Sequence, residues 1–114
     1  MVQKVLVVED YADLNSAITA ALSDDYRCTS VRTAEDAIGK LQADHYEVIL
    51  LAPRLPIQSD PVMHFLHEYQ PEEIAKVILM MAPDDEADAE GEDCRVLMKP
   101  FNRDELVAQM AKSE

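Results

Sequence analysis

Two short runs of apolar residues constrain the fold of this chain more than any other feature of its sequence. Lys4–Val8 and Glu47–Leu51 each contain four consecutive apolar side chains, most of them β-branched in the first run. A nearly continuous run of this kind is typical of a parallel strand that is buried on both faces. The first run ends at two acids and the second ends at a segment with two prolines, which cannot continue a central strand.

Three further segments have strand patterns, and amphipathic helical patterns separate the strands along the chain. These strands are predicted at Arg27–Val31, Lys76–Met80 and Arg95–Met98. Strands that alternate with helices form βαβ units, whose strands are parallel and whose helices cover both faces of the sheet. The predicted fold is therefore α/β, a (βα)5 doubly wound parallel sheet in a three-layer sandwich. The length predicts a single domain over residues 1–114.

Residues that favour helix N-termini precede three of the predicted helices: Thr33, Asp60 before Pro61, and Asn102 with Glu105. On the third helix the apolar spacing predicts a buried face, formed by Val62, Phe65, Leu66 and Tyr69. His64 and His67 lie largely off that face, and no third ligand is evident in the sequence. We therefore expect both histidines to face solvent and not to hold a metal.

Acidic residues dominate the charge of the chain. Asp and Glu number 23 against 10 Lys and Arg, which gives a net charge of −13. This balance argues against binding of nucleic acid or of an anionic membrane surface. No apolar run approaches the length of a membrane-spanning helix, and the first ten residues do not resemble a secretory signal. With two cysteines, Cys28 and Cys94, in no disulfide-like spacing, we expect a cytoplasmic protein.

The segment 84–93 departs from the regular pattern, because seven of its ten residues are acidic. The helix between the fourth and fifth strands falls there, so it is predicted to be short. One interpretation is a solvated loop or frayed helix. The other is an acidic surface that selects a basic protein partner.

The candidate chemistry lies where the strands end, because ligands of open parallel sheets bind at the carboxyl ends of the strands. Glu9 and Asp10 follow the first strand, and Lys99 follows the fifth. Two carboxylates that face a lysine could hold a divalent cation or an oxyanion. Alternatively, the two acids only end the strand and cap the next helix.

Three motifs in this order resemble the receiver domain of two-component response regulators over about residues 3–112. They are the acid pair Glu9-Asp10, the block VILLAPRLP at 48–56, and LMKPF at 97–101. The resemblance implies the strand order 2-1-3-4-5, which places Cys28 and Cys94 at opposite edges of the sheet. It also implies transfer of a phosphoryl group from a histidine kinase to an aspartate after the third strand. In such domains Mg²⁺ is held by the acid pair, that aspartate and a backbone carbonyl two residues later.

Carried over to this chain, the resemblance retains Glu9 and Asp10 for the metal, the carbonyl of Arg54, and Lys99 with Pro100 for the phosphoryl group. The phosphoacceptor position, four residues before Pro56, is Ala52, which has no carboxylate to phosphorylate. The hydroxyl-bearing switch position is Met81, and the switch aromatic is Val96. The glycine that is usual after Pro56 is replaced by Asp60. Metal binding is expected to be weak or absent, with Lys99 neutralising the acids as a salt bridge.

The sequence therefore predicts a non-enzymatic pseudo-receiver, a signalling module that works by protein contact without phosphorylation. The acidic segment 84–93 and the face around the fifth strand and last helix are the candidate contact surface. Two alternatives stay open. The alanine at position 52 could be an engineered change in a conventional phospho-accepting receiver. A flavodoxin-like cofactor domain is disfavoured, because the acids after the first strand would repel a phosphate.

Overall fold

The computed structural model describes residues 2–85 and 93–111, and it contains a sheet of five parallel strands. The strands are β1 (Gln3–Val8), β2 (Tyr26–Val31), β3 (Val48–Leu51), β4 (Val77–Met81) and β5 (Arg95–Met98). Their order in the sheet is β2-β1-β3-β4-β5. Both the parallel sheet and the strand order confirm the predicted fold.

In the described part of the chain, four α-helices cover the two faces of the sheet: α1 (Ala12–Leu22), α2 (Ala34–Ala43), α3 (Pro61–Tyr69) and α4 (Arg103–Ala111). The segments Ile57–Ser59, before α3, and Pro71–Lys76, before β4, are 3-10 helices. Because successive side chains of a strand point to opposite faces, β1 serves two separate cores. Val5 and Val7 pack with residues of α1 and α4, whereas Leu6 and Val8 pack with residues of α2 and α3. The result is the predicted three-layer sandwich.

The predicted helix starts are confirmed by their hydrogen bonds. The side chains of Thr33 and Asp60 accept from the backbone N–H groups of Asp36 and Met63. Before α4, Asn102 Oδ1 accepts from the N–H of Glu105, and the Glu105 carboxylate accepts from the N–H of Asn102. This reciprocal pair is a capping box.

The structure corrects the predictions for one side chain and for several strand bounds. Tyr69 was predicted to face the core, but it lies at the end of α3 and is 71% exposed. The fourth strand runs from Val77 to Met81 instead of Lys76 to Met80, and β3 begins at Val48, after Glu47. The first two strands each begin one residue earlier than predicted, at Gln3 and Tyr26. The shortened helix predicted at 84–93 falls mostly on residues 86–92, which lie outside the described residues.

The cysteines lie as the strand order predicts. Cys28 is on the edge strand β2 and Cys94 directly precedes the opposite edge strand β5, and no disulfide joins them. Partial burial raises the pKa of the Cys28 thiol above its ordinary value. Within residues 2–85 and 93–111, no helix has the length and apolar character that crossing a membrane requires.

Candidate functional site

A cleft of about 440 Å³ lies at the carboxyl ends of the central strands. The parallel register ends β1, β3 and β4 at the same edge of the sheet, so residues distant in sequence meet there. Among the predicted site residues, those that line the cleft are Asp10, Ala52, Arg54, Met81 and Lys99. This volume is within the range of small-ligand sites in proteins.

A salt bridge with a buried acid closes one side of this site. Lys99 Nζ lies 2.8 Å from Glu9 Oε1; the side chain of Glu9 is 1% exposed and that of Lys99 is 30% exposed. The second carboxylate oxygen, Glu9 Oε2, accepts from the backbone N–H of Tyr11 at 3.1 Å. Both oxygens of Glu9 are therefore engaged by donors of the chain itself. Lys99 follows β5 directly and is joined to the exposed Pro100 by a cis peptide bond.

The second acid of the pair has a different environment. Asp10 is exposed, and its backbone carbonyl accepts from Arg32 Nε at 3.4 Å and from Arg32 Nη2 at 3.3 Å. Asp10 lines the cleft, whereas the ammonium group of Lys99 lies beside Glu9. Neither acid is the side-chain cap of α1, whose N-cap residue is Tyr11. The two adjacent carboxylates thus have separate surroundings, one buried and paired and the other open to solvent.

Three positions at which the resemblance implies reactive or switching side chains are apolar in this chain. Ala52 continues the pairing of β3 with β1, since its N–H donates to the Val8 carbonyl at 2.9 Å, and its methyl group lines the cleft. Met81, the last residue of β4, is 2% exposed and lines the same cleft. Val96 is half-buried in β5 and packs against the core under α2 and α3. None of these three side chains offers a nucleophile or a strong hydrogen-bond donor.

Arg54 is held through its backbone by a buried carboxylate. The Arg54 N–H donates to Asp60 Oδ2 at 2.5 Å, and Asp60 Oδ1 accepts from the Met63 N–H at 2.9 Å. Asp60 is 3% exposed. Sequence analysis predicted the contact with α3 as an N-cap, but it missed the contact with Arg54, because that contact depends on the path of the loop between them.

Asn15 is a second residue that sequence analysis missed. Its side-chain amide is buried and donates to the carbonyls of Glu9 and Val31, each at 3.0 Å. These two bonds tie the ends of β1 and β2 to α1 and fix the backbone of Glu9. The sequence carries a signal for this role, because Asn15 is a polar residue between the apolar Leu14 and Ile18 of α1. In the structure Asn15 is buried, as Ile18 is.

The chemistry that this arrangement offers is limited. Within the described ranges no group of three or more His, Cys, Asp or Glu side chains is placed to hold a metal ion. His64 and His67 are exposed on α3, away from the cleft. Of the two carboxylates predicted to bind Mg²⁺, Glu9 already has a cation beside it. The residues present therefore fit a divalent ion poorly.

Comparison with known proteins agrees with the fold and the order of the motifs. No protein-family model matches the chain. The transcriptional regulatory protein BasR of Escherichia coli is 32% identical over an alignment of 115 residues. The alignment covers 94% of this chain and 50% of that protein. This chain therefore spans about half the length of this relative.

Solved structures show the same architecture. The signal receiver domain of the Luxo repressor protein from Vibrio parahaemolyticus superposes with a TM-score of 0.76 at 25% identity, over 99% of this chain and 90% of that one. The chemotaxis protein CheY4 of Vibrio cholerae superposes with a TM-score of 0.80 at 20% identity, over all of both chains. Together with the site motifs, the similarity to BasR and to the Vibrio parahaemolyticus receiver domain supports a receiver domain of the response-regulator class.

Proposed function

We propose that this receiver domain works without phosphorylation at the usual site and acts by contact with another protein. The observation that carries the proposal is that Ala52 and the Glu9–Lys99 salt bridge occur together in one site. Ala52 presents a methyl group to the cleft, so no acyl phosphate can form there. The lysine that would contact a phosphoryl group instead lies 2.8 Å from Glu9.

The same salt bridge explains the expectation of weak metal binding. A divalent ion at this site would have to replace an ammonium group that already neutralises the Glu9 carboxylate. It would gain only Asp10 and the Arg54 carbonyl as further protein ligands. We propose that Mg²⁺ binds weakly or not at all, and that the chain catalyses no reaction of its own.

The proposed contact surface consists of the acidic segment 84–93 and the face formed by β5 and α4. Within the segment, Asp84 and Asp93 are exposed, and residues 86–92 lie outside the described part of the chain. Exposed carboxylates favour a basic protein surface as the partner and disfavour nucleic acid and anionic membranes. A cytoplasmic location belongs to the same proposal.

A conventional receiver with an engineered alanine is the second candidate. It requires that position 52 be the only position at which this site differs from the site of an active receiver. Met81 and Val96 speak against it, since disabling the phosphoacceptor alone would leave a hydroxyl and an aromatic side chain at these positions. The flavodoxin-like alternative predicts a bound chromophore, so an absorbance spectrum of the purified protein without a flavin band would exclude a flavin.

The deciding experiment restores the carboxylate with Ala52→Asp. Both chains are incubated with Mg²⁺ and acetyl phosphate, and their intact masses are compared. We expect no added phosphoryl group on the original chain. Ala52→Asn serves as the matched control, because it has nearly the same size as aspartate but cannot form an acyl phosphate.

Each outcome separates the candidates. A labile phosphoryl group on the original chain would contradict the proposal directly. Modification of Ala52→Asp alone would show that the rest of the site is competent, and an engineered or very recent loss of the aspartate would become the better explanation. If neither chain is modified, the changes at the other positions have also disabled the site.

A further inference from the structure

The carboxylate of Asp60 makes one more contact than its helix requires. Capping of α3 uses Oδ1, which accepts from the Met63 N–H at 2.9 Å. The other oxygen, Oδ2, accepts from the N–H of Arg54, in the loop that leads away from β3. Both contacts are shielded from water, since Asp60 is 3% exposed.

The other described caps show that the second contact is not part of capping. Thr33 accepts from the N–H of Asp36 in its own helix. Asn102 likewise accepts from the N–H of Glu105 in α4. In both cases the cap joins a helix only to itself, whereas Asp60 joins α3 to the wall of the cleft.

The contact matters because of where the Arg54 amide lies. Arg54 is two residues after Ala52, and both residues line the cleft together with Lys99. Backbone N–H groups on the wall of a cleft are natural donors to a bound anion. Here this donor and the lysine are both already satisfied by internal carboxylates, Asp60 and Glu9 respectively.

We propose that Asp60 acts as an internal anion for this cleft and competes with any external anion for the Arg54 amide. The chain thereby holds the loop from Pro53 to Asp60 in one conformation without a bound ligand. This inference rests on the proposed function, which it extends. It gives a second reason why the domain is independent of phosphate, separate from the loss of the aspartate at position 52.

The test uses the Ala52→Asp chain and adds Asp60→Ser. Serine still caps Met63, but its shorter side chain does not reach the Arg54 amide. Ala52→Asp with Asn102→Ser is the matched control, because it shortens the exposed cap of α4 in the same way. The probe is beryllofluoride with Mg²⁺, a phosphoryl analogue whose binding is followed by fluorine NMR.

We expect the chain with Asp60→Ser to bind beryllofluoride about tenfold more tightly than Ala52→Asp alone, the factor that one charge-assisted hydrogen bond supplies. The control should bind like Ala52→Asp. Equal binding with and without Asp60→Ser would overturn the role of Asp60 while leaving the proposed function intact. Uptake of a phosphoryl group by the original chain would instead overturn the proposed function.

A second measurement keeps the inference testable if the double variant does not fold. In the original chain, Asp60→Ser should speed hydrogen exchange of the Arg54 amide about tenfold, the same factor as one lost hydrogen bond of this kind. The Met63 amide should keep its protection, because serine still caps it. Unchanged exchange at Arg54 would show that Asp60 does not hold this amide.

Discussion

The two edges of the sheet, where the strands end and where they begin, carry ion pairs whose acids lie in opposite environments. At the carboxyl edge, the side chain of Glu9 is 1% exposed and pairs with Lys99, whose side chain is 30% exposed. At the amino edge, Lys4 pairs with Asp44, and their side chains are 28% and 51% exposed. Exposed pairs contribute little to stability, whereas a buried charge that loses its partner is costly. The comparison therefore locates the charges that the fold depends on at the edge where the candidate site lies.

The amino edge also has one intermediate case, a cluster of three side chains. Lys76 Nζ lies 2.7 Å from Glu73 Oε2 and 3.2 Å from His45 Nε2, and His45 Nδ1 lies 3.5 Å from Glu73 Oε1. Glu73 is nearly buried, but the side chain of His45 is 68% exposed. Water therefore reaches this cluster from one side, unlike the Glu9 carboxylate.

The largest expected effect comes from breaking the buried pair. Lys99→Met removes the cation and leaves the Glu9 carboxylate buried without it. We expect the free energy of unfolding at pH 7 to fall by about 3 kcal/mol, the usual cost of an uncompensated buried charge. Urea denaturation followed by circular dichroism measures this change.

The double variant Glu9→Gln with Lys99→Met is the control for that measurement. It removes both charges and keeps a side chain that can still accept from the Tyr11 amide. The double variant should be more stable than Lys99→Met alone, because no charge is then left buried. A single variant as stable as the original chain would contradict the contrast between the two edges.

Asp60→Ala is expected to have the next largest effect. It removes the cap of α3 and leaves the Arg54 amide without its acceptor, with a combined cost of about 2 kcal/mol. Asn102→Ala removes only an exposed cap and should cost about 1 kcal/mol or less. Thermal or urea unfolding of the two variants side by side tests this, and equal losses would mean that the Arg54 contact contributes nothing to stability.

Addition of Mg²⁺ should change the stability of the original chain very little. If the dissociation constant is above about 10 mM, then 10 mM MgCl₂ adds less than about 0.4 kcal/mol. Lys99→Met should respond more strongly, because it frees the Glu9 carboxylate for the ion. Calorimetric titration of both chains measures the difference, and a sub-millimolar affinity of the original chain would refute the expectation.

The sequence was sufficient for the fold because its strands and helices have unambiguous local patterns. The apolar run before Glu9 and the cap at Asp60 each follow from a few neighbouring residues, and the structure has both. Tyr69 shows the limit of such patterns. It follows the apolar spacing of α3, but the helix ends there and leaves the ring exposed.

The partners within the site could be predicted only in part. The spacing placed Lys99 opposite two acids, but the choice of Glu9 depends on the backbone after β1, which Asn15 holds. The contact between Asp60 and Arg54 likewise depends on the path of a loop with two prolines. Local sequence patterns do not determine such paths, because they arise from packing between elements that are distant along the chain.

The smallest expected effect concerns Asp44, at the amino edge. The hydrogen bond from Lys4 Nζ, aided by the His45 amide, lowers the pKa of the Asp44 carboxyl from its ordinary value. A group whose pKa is lowered by folding stabilises the protein above its unfolded pKa of about 3.9, and this contribution is lost as the pH falls through the lower folded value. Asp44→Asn should therefore reduce the stability slightly at pH 7, and the difference should shrink as the pH falls below about 3.9.

Because this pair is exposed, high salt should remove most of the same difference by screening. Urea midpoints of the two chains at pH 7, with and without 1 M NaCl, measure it, and an NMR titration of Asp44 reports its pKa directly. Lys4 also lies 5.3 Å from the centre of the Tyr46 ring, so it retains a favourable contact when Asp44 is changed. A loss as large as that of Lys99→Met would show that burial does not separate the two edges, and the contrast between them would fail.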